Sequence, residues 1–592
     1  MASADIPTVY GSEPLTYIPD HLTIPQFFLD SVHPLNGEAR QRRNATWFIE
    51  DHTGREYHGD KVRARVWALA NAMHIRWNFG DGDVVCIYGP NHVDYPIVMW
   101  AALRVGGIMT GANPSYTVDE LVYQLQTAKA TTLVLHPDSL EVGLAAARKA
   151  GIRDDRIVLF EPVAADNGAH ASLDDLIHEG LSHPQRFVEP QLKPGEAKTR
   201  LALLFFSSGT TGRPKAVMIP HYAVIANCVQ IKQFVEKEDK KRPFEKKLHR
   251  AGDIGLGVLP FYHIFGAVVS LHYYTWVGIT LSVVTKFNFE NMLKSIQKYK
   301  VGHLAIVPPM IVLLCKHPLV KNYDLSSIKA VTSGAAPLSA ELTNQLVGVL
   351  PGAHIGQGYG MTETCTVLSH PTVSVRVGTP GSSGSLVPGT AVRIRKADGQ
   401  GWAGIGETGE LVVTGPSMAL GYLDNEKATK ETFIDGWVYT GDEGYVTADG
   451  EVYIVDRIKE LIKVKGLQVA PAELEGHLLG HPDVADVCVI GAPDEYSGEL
   501  PFAFVVLNAN VAPKAKADPR EAERFKESVK KHVADHKTQF KWLAGVELVD
   551  AVPKNPSGKL LRRVLRDQLK GLMASGAVKL VDPSAKKARA KL

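Results

Sequence analysis

Phe205-Phe206-Ser207-Ser208-Gly209-Thr210-Thr211-Gly212-Arg213-Pro214-Lys215 follows directly on the apolar run that begins at residue 201. Glycine and small side chains let a backbone approach phosphate oxygens, while Ser and Thr hydroxyls, free N–H groups and Lys215 supply donors and charge. The stretch reads as a strand delivering a phosphate cradle, with Ser207, Ser208, Gly209, Thr210, Thr211, Gly212 and Lys215 as the binding set. It is not a Walker A loop, which needs lysine immediately after its second glycine; here Lys215 comes three residues after Gly212. The competing reading is a flexible surface loop.

Outward from this strand the same rhythm repeats. Apolar stretches at 84–88, 132–135 and 157–160 alternate with amphipathic ones at 95–104 and 140–150, and the strands continue at 201–206 and 330–332. Such alternation predicts parallel sheets covered by helices on both faces. Residues 254–285 carry no Asp, Glu, Lys or Arg and are long enough to span a bilayer. Pro260, His263, His272 and Gly278 divide them instead into a strand, a helix over 264–277 and a strand over 279–284, a buried α/β unit and not a transmembrane segment. From Gly378 the chain becomes Gly-rich, with alternating strands at 391–395, 409–414 and 450–455 that form a small β-subdomain. A last unit carries helices at 471–479 and 519–536 and strands at 484–490 and 503–507. The expected organisation is a large N-terminal domain at 1–455, a hinge at 456–459, a small α+β domain at 460–580 and a tail at 581–592.

Lys plus Arg number 65 against 63 Asp plus Glu, a net charge of +2, so no bulk field points to nucleic acid or a membrane surface. Any anion site must be local. The five cysteines, Cys86, Cys228, Cys315, Cys365 and Cys488, include no C-x-x-C pair, which argues against a disulfide framework or zinc knuckle. The amino terminus lacks a basic segment followed by an apolar one, so a cleaved secretion signal is not expected. The final Ala590-Lys591-Leu592 is a conservative variant of the Ser-Lys-Leu peroxisomal address, read by an import receptor. The expected location is the peroxisome, otherwise the cytoplasm.

Four further constellations carry chemistry. Gly356-Gln357-Gly358-Tyr359-Gly360-Met361-Thr362-Glu363-Thr364 offers an aromatic face to a purine and a carboxylate, Glu363, to Mg²⁺. In Tyr439-Thr440-Gly441-Asp442, the aspartate is suited to accept both ribose hydroxyls. Asp456 to Gln468 alternates in charge, as a solvated hairpin also would. Pro553-Lys554-Asn555-Pro556-Ser557-Gly558-Lys559 ends a Pro/Gly-ordered loop on a lysine. Each alone has a plain alternative: a Gly-rich hairpin with a buried tyrosine, a turn, a solvated strand pair, a surface charge.

In this order and spacing, the five constellations resemble those of the adenylate-forming superfamily of acyl-CoA synthetases, luciferases and peptide-synthetase adenylation domains. Leu259-Pro260-Phe261-Tyr262-His263-Ile264 and Lys459-Glu460-Leu461-Ile462-Lys463-Val464-Lys465-Gly466 bring the chain nearest to 4-coumarate:CoA ligases and their fungal and peroxisomal acyl-CoA ligase relatives. The resemblance runs from roughly residue 44 to residue 569. It implies two doubly wound α/β subdomains in the large domain, a mobile small domain, and use of ATP, Mg²⁺ and coenzyme A to turn a small carboxylic acid into its thioester through an acyl-adenylate. Carried over by position, Ser207 to Thr211 and Lys215 hold the β- and γ-phosphates. Thr362 and Glu363 serve the α-phosphate and the metal, and Gln357, Gly358 and Tyr359 contact the nucleotide. Asp442 and Arg457 take the ribose, and Lys559 bridges the substrate carboxylate and α-phosphate. Rotation about Lys459 would then withdraw Lys559 and bring Lys465 and Gly466 toward CoA, with Lys286 on a CoA phosphate. Lys463 and Gln468 match positions that contact the adenylate.

By the same resemblance, Tyr262, His263, Phe265, Thr332, Gly334, Ala335, Gly358 and Val367 line the acyl pocket, with His263 at its gate. Plant coumarate enzymes commonly carry tyrosine two residues after the gate histidine and lysine before the Ser-Gly-Gly turn. This chain has Phe265 and Thr332. A buried phenol hydroxyl left without partners costs about 1–3 kcal/mol, so the expected substrate is an apolar acid, medium-chain fatty or of arylalkanoic or cinnamic type. A 4-coumarate ligase is the alternative, and a luciferase-like adenylating monooxygenase shares the scaffold. A peptide-synthetase module would need a carrier domain, and the roughly 30 residues after Lys559 are too few for one.

Overall fold

The computed structural model describes residues 6–30, 45–207, 213–555 and 558–581. The core is built on two seven-stranded sheets. One runs in the order Lys215–Pro220, Leu201–Ser207, Ile108–Ala112, Val84–Tyr88, Thr132–Leu135, Ile157–Leu159, Ala171–Ser172, parallel throughout except for its first edge strand. The other runs His354–Gln357, Ala330–Ser333, His303–Ile306, Ile254–Gly257, Thr280–Val283, Thr46–Glu50, Glu56–His58, parallel up to its antiparallel last strand. Val84–Tyr88 is buried at every position, as a strand covered by helices on both faces must be. Side chains from both sheets meet in one core, with Ile87, Trp100 and Phe205 sharing it with Phe261, Leu304 and Ile355.

The uncharged stretch folds as a strand, Ile254–Gly257, a π-helical segment, Gly266–Tyr274, and a strand, Thr280–Val283. The segment is wholly buried. His272 contributes to its wide turn, with Nδ1 2.7 Å from the carbonyl of Ala267, while its Nε2 lies 3.0 Å from Trp100 Nε1. Among the described residues no helix is long and apolar enough to cross a membrane.

The β-subdomain is an antiparallel sheet around Ala391–Arg395, Gly409–Thr414 and Trp437–Val446. Its last strand, expected at 450–455, lies at Val452–Arg457. Gly450, with φ +85°, closes a turn back to Thr447 and delays the strand. That shift pairs Arg457 with Asp442 across the sheet.

Only residues 458–461 separate this strand from the first strand of the C-terminal sheet, Ile462–Val464. That sheet has the order Leu467–Val469, Ile462–Val464, Gly498–Leu507, Val484–Asp494, with Gly545–Leu548 on Gly498–Leu507. Its two long strands extend the expected 484–490 and 503–507 into a single hairpin, because Pro493 and Pro501 are accommodated within the ladder. Val469, Leu474, Val489, Ala503 and Val529 form a core separate from that of the large domain. The contacts that dock this unit on the large domain include, besides the Ala472 N–H bond to Asp456 Oδ2 at 2.9 Å, those of Lys316, Gly476 and Gly558. Lys316 Nζ donates to the carbonyls of Leu479 at 2.6 Å and Val484 at 2.9 Å. Gly476 lies so close to Ser339 that a Cβ there would sit 2.8 Å from the serine Cβ. Gly558 (φ +80°) lies almost as close to Val307, where an added Cβ would sit 2.9 Å from the valine Cγ2.

Candidate active site

Ligands of open α/β sheets bind beyond the carboxyl ends of the parallel strands, and most of the candidate residues lie there. The Tyr262–Phe265 loop follows Ile254–Gly257, the Gly334 turn follows Ala330–Ser333, and Gly358 to Glu363 follow His354–Gln357.

The phosphate-loop strand does not feed a helix. Leu201–Ser207 pairs antiparallel with Lys215–Pro220, and Ser207 faces Lys215 where the hairpin closes. Residues 208–212, which hold Ser208, Gly209, Thr210, Thr211 and Gly212, lie outside the described residues. Tyr123 anchors the base of the loop, its hydroxyl donating to the Pro214 carbonyl at 2.9 Å. Lys215 Nζ sits 4.0 Å from the ring centroid of Tyr422. Burial, and secondarily the like charge of Lys459, lowers its pKa, while Glu363 opposes the shift.

Tyr422 organises the next part of the site. Its hydroxyl donates to Glu363 Oε1 at 2.8 Å, and the Glu363 carbonyl accepts from Ala419 N–H at 2.9 Å. Glu363 is buried and sits in a single 3₁₀ turn, Thr362–Thr364. The hairpin around it crosses tightly: a Cβ on Gly360 would lie 1.4 Å from the Thr366 carbonyl oxygen. The Thr366 hydroxyl donates to the carbonyl of Ile264 at 3.1 Å, tying this turn to the gate loop.

Asp442 is buried and holds two partners. Arg457 Nε lies 2.7 Å from its Oδ1, and the Tyr359 hydroxyl donates to its Oδ2 at 2.7 Å. The amide of Gln357 is turned to structure: its oxygen accepts from Leu338 N–H, and Nε2 donates to Ser383 Oγ at 2.6 Å.

Lys559 enters this cluster from the small domain. Asn555 fixes its loop, with Oδ1 accepting from Lys559 N–H at 2.8 Å and its own N–H donating to the Lys559 carbonyl at 2.9 Å. Pro556 and Ser557 lie outside the described residues. Burial first, and then the charge of Arg457, lowers the Lys559 pKa to about 8, against the opposing pull of Asp442, Glu363 and Glu460. The same ammonium, after burial, keeps His263 neutral and lowers its pKa to about 4. His263 Nδ1 accepts from Phe265 N–H at 3.3 Å, which leaves the imidazole proton on Nε2.

Phe265 packs on Gly334, where a Cβ would meet the ring at 2.9 Å. Val367 is held at both backbone groups by the Asn227 amide, at 3.1 and 2.7 Å. The backbone of residues 257–261 is held by Asn91, which donates to the carbonyls of Gly257 and Leu259 at 3.1 and 2.9 Å and accepts from Phe261 N–H at 2.8 Å. Tyr262 packs on Gly111 of the first sheet. Thr332 is partly exposed at the end of its strand.

Ala335 is exposed at φ +68°, a conformation that costs an L-residue about 1–2 kcal/mol. Ala335→Gly should therefore leave stability unchanged or raise it by up to about 1 kcal/mol after glycine's entropic cost. A lower urea midpoint would contradict the reading.

The remaining candidates stand apart. Lys463 and Gln468 face each other across the exposed hairpin of the small domain. Lys465 and Gly466 form its turn, at φ +51° and +83°, with Lys465 Nζ 4.5 Å from the Tyr496 ring centroid. Lys286 is exposed just beyond Thr280–Val283. Tyr422, Asn227, Asn91 and Lys316 had no signal of their own in the sequence, because each acts across a long-range contact.

Residues 35–423 match the AMP-binding enzyme family, and residues 473–559 match the AMP-binding enzyme C-terminal domain. The chain is 36% identical over 579 residues to 4-coumarate--CoA ligase 2 of Oryza sativa subsp. japonica, covering 95% of each chain. It is 36% identical over 527 residues to 4-coumarate-CoA ligase 2 of Narcissus pseudonarcissus, covering 88% of each. Among solved structures, the anthranilate CoA ligase AuaEII in complex with anthranoyl-AMP superposes with a TM-score of 0.78 at 22% identity, over 94% of this chain and 99% of that one. ATP-bound MatB from Rhodopseudomonas palustris gives 0.76 at 24% identity, over 93% and 99%. Both share the fold.

Proposed function

Because the chain belongs to the AMP-binding enzyme family, we propose that it is an ATP-dependent, AMP-forming acid–CoA ligase whose substrate is an apolar carboxylic acid. The observation that carries the reading is the meeting of Lys559 from the small domain with Glu363, Asp442 and Arg457 of the large one.

In the first half-reaction a substrate carboxylate oxygen attacks the α-phosphorus of ATP, and pyrophosphate leaves with the electron pair of the broken P–O bond. Charge grows on the α-phosphate and the entering carboxylate, so fixed cations aimed there do the catalytic work. Lys559 is the cation for those oxygens. Lys215 and the 207–212 segment hold the outgoing phosphates, Asp442 takes the ribose hydroxyls, and Tyr359 and Gly358 flank the base. Glu363 has one carboxylate oxygen on Tyr422, and the other has no partner among the described residues. A hard oxygen donor beside phosphates suits Mg²⁺, and Thr362 and Glu363 would hold it, where it supplies charge neutralisation. In the second half-reaction the CoA thiol attacks the acyl carbonyl, AMP leaves, and the thiol proton is lost to solvent. For this step the small domain turns about residues 456–459 and brings Lys465 and Gly466 toward CoA, with Lys286 taking a CoA phosphate, whereas Lys463 and Gln468 belong to the adenylation state, where they contact the adenylate. His263, neutral and at the pocket mouth, opens for pantetheine.

The apolar-acid reading rests on Phe265 beside Gly334 and on Thr332 in place of a lysine, which give a phenol hydroxyl no charged partner. Medium-chain fatty acids, phenylacetate and cinnamate are the substrates of choice. Cinnamate should exceed 4-coumarate in kcat/KM by roughly 5- to 150-fold, the equivalent of about 1–3 kcal/mol for an unpaired hydroxyl. The relatives named 4-coumarate-CoA ligases favour a second reading, in which 4-coumarate is the better substrate. Steady-state AMP release over an acid panel separates them, since a preference for 4-coumarate overturns the pocket argument. Where Leu592 ends the chain in the cell, Ala590-Lys591-Leu592, outside the described residues, supports import into peroxisomes and a supply of thioesters for β-oxidation there. A tagged protein that stays cytosolic with that terminus free would oppose it.

A further inference from the structure

Far from the sequence constellations, three histidines of the small domain meet between two helices. His477 lies in Pro471–Leu478, and His532 and His536 lie in Pro519–His536. The last two are four residues apart and so share one helix face. One ring nitrogen from each of the three lies within 4.8 Å of those from the other two. The rings of His477 and His532 stack at 4.3 Å, and His536 approaches them at 5.2 and 5.3 Å.

The hydrogen bonds fix which nitrogens remain available. His477 Nε2 lies 3.1 Å from the His532 carbonyl, His532 Nε2 lies 3.3 Å from the His477 carbonyl, and His536 Nδ1 lies 2.9 Å from the His532 carbonyl. A carbonyl only accepts, so each of these nitrogens carries the proton, and the lone pair falls on His477 Nδ1, His532 Nδ1 and His536 Nε2. That is the arrangement of metal-binding imidazoles, which donate their second N–H to a carbonyl or carboxylate and thereby hold the ring tautomer. His481, 5.2 Å from His532, is different. It accepts from Asp483 N–H at 3.1 Å and meets Ser528 Oγ at 3.0 Å, so both of its nitrogens are engaged.

We propose that His477, His532 and His536 form a site for one divalent transition-metal ion that joins the two helices. Imidazole nitrogens select Zn²⁺, Cu²⁺ or Ni²⁺ over Mg²⁺, so this ion is chemically separate from the one beside Glu363. At Zn–N distances of about 2.1 Å, two ligand nitrogens of a tetrahedral ion lie about 3.4 Å apart. Binding would draw the nitrogens in from their present spacing of up to 4.8 Å by rotation of the rings. Three nitrogens leave a fourth position for water. The ion would stiffen the helix that docks the small domain, since Gly476 abuts Ser339 and the Leu479 carbonyl receives Lys316.

The test uses the full chain, stripped with chelator, desalted and titrated with ZnCl₂ by calorimetry, with NiCl₂ as the second probe. The intact protein should bind one equivalent that His536→Gln weakens by at least about tenfold, the lower bound for losing even an outer partner of a metal-bound histidine. His532→Gln/His536→Gln should abolish it. Zn²⁺ should also raise the thermal midpoint of the intact protein and not that of the double variant. His536 is exposed, so its single variant keeps the fold and the comparison remains interpretable. Equal Zn²⁺ binding by intact and variant chains, or no binding by the intact chain, overturns the proposal. ATP- and acid-dependent pyrophosphate release by the variants is recorded separately, so loss of the ligase reading and loss of the metal site are distinguishable.

Discussion

Lys559→Ala should cut acyl-adenylate formation by about 10²- to 10³-fold, the usual effect of removing one preorganised charge donor from a phosphoryl- or acyl-transfer site, while thioester formation from supplied acyl-adenylate stays close to that of the intact protein. The asymmetry follows from where the residue sits. Its ammonium lies among Arg457, Asp442 and Glu363 while Gly558 is docked against Val307, a contact that the proposed second half-reaction withdraws. A pH signature accompanies it. Burial, and then Arg457, sets the pKa of Lys559 at about 8, and only the protonated form neutralises the developing charge. The kcat/KM for adenylation, which reports the free enzyme's groups, should therefore fall as pH rises through about 8. The residual rate of the alanine variant should lack that fall. Pyrophosphate exchange and CoA transfer from synthetic adenylate, measured side by side, decide the matter. Equal loss in both half-reactions would refute the division of labour.

Local patterning carried the sequence a long way. The helices Tyr95–Arg104, Leu140–Ala150 and Pro519–His536, and the strands Val84–Tyr88, Ala391–Arg395 and Gly409–Thr414, lie where their periodicity and boundaries put them. Each is specified by residues near in sequence. Lys215, Glu363, Asp442, Arg457 and Lys559 were legible as candidates because their residue types stand in Gly- or Pro-bounded loops. Their convergence was not, since it depends on pairing between distant segments. Tyr422 reaches Glu363 through an isolated bridge with Val217, and the delay of the strand after Gly450 brings Arg457 opposite Asp442. The positive φ of Ala335 and Thr366 has no local signature either, because alanine and threonine do not advertise left-handed backbone. Asn91 and Asn227 look like ordinary helix or loop amides in the sequence. Their importance comes from backbone groups 166–170 and 140 residues away that they satisfy.

Lys316→Met should slow adenylation by about tenfold and leave thioester formation from supplied adenylate unslowed. Methionine keeps most of the length of the lysine stem but has no donor. In the closed arrangement it strands the carbonyls of Leu479 and Val484, which now accept from Lys316 at 2.6 and 2.9 Å. When the small domain swings away, water reaches those carbonyls, so the penalty of about 1–3 kcal/mol for unpaired polar groups falls on the closed state alone. A differential cost of that size shifts a two-state domain equilibrium by roughly 5- to 150-fold. The lysine carries its own desolvation cost, since burial lowers its pKa, and two charge-assisted hydrogen bonds offset it. Lys316→Arg, which retains donors, should recover much of the rate. A loss common to both half-reactions would indicate damage to Pro308–Lys316, the helix that ends at this residue. No loss in either would show that Gly476 on Ser339 and Gly558 on Val307 suffice to hold the small domain closed.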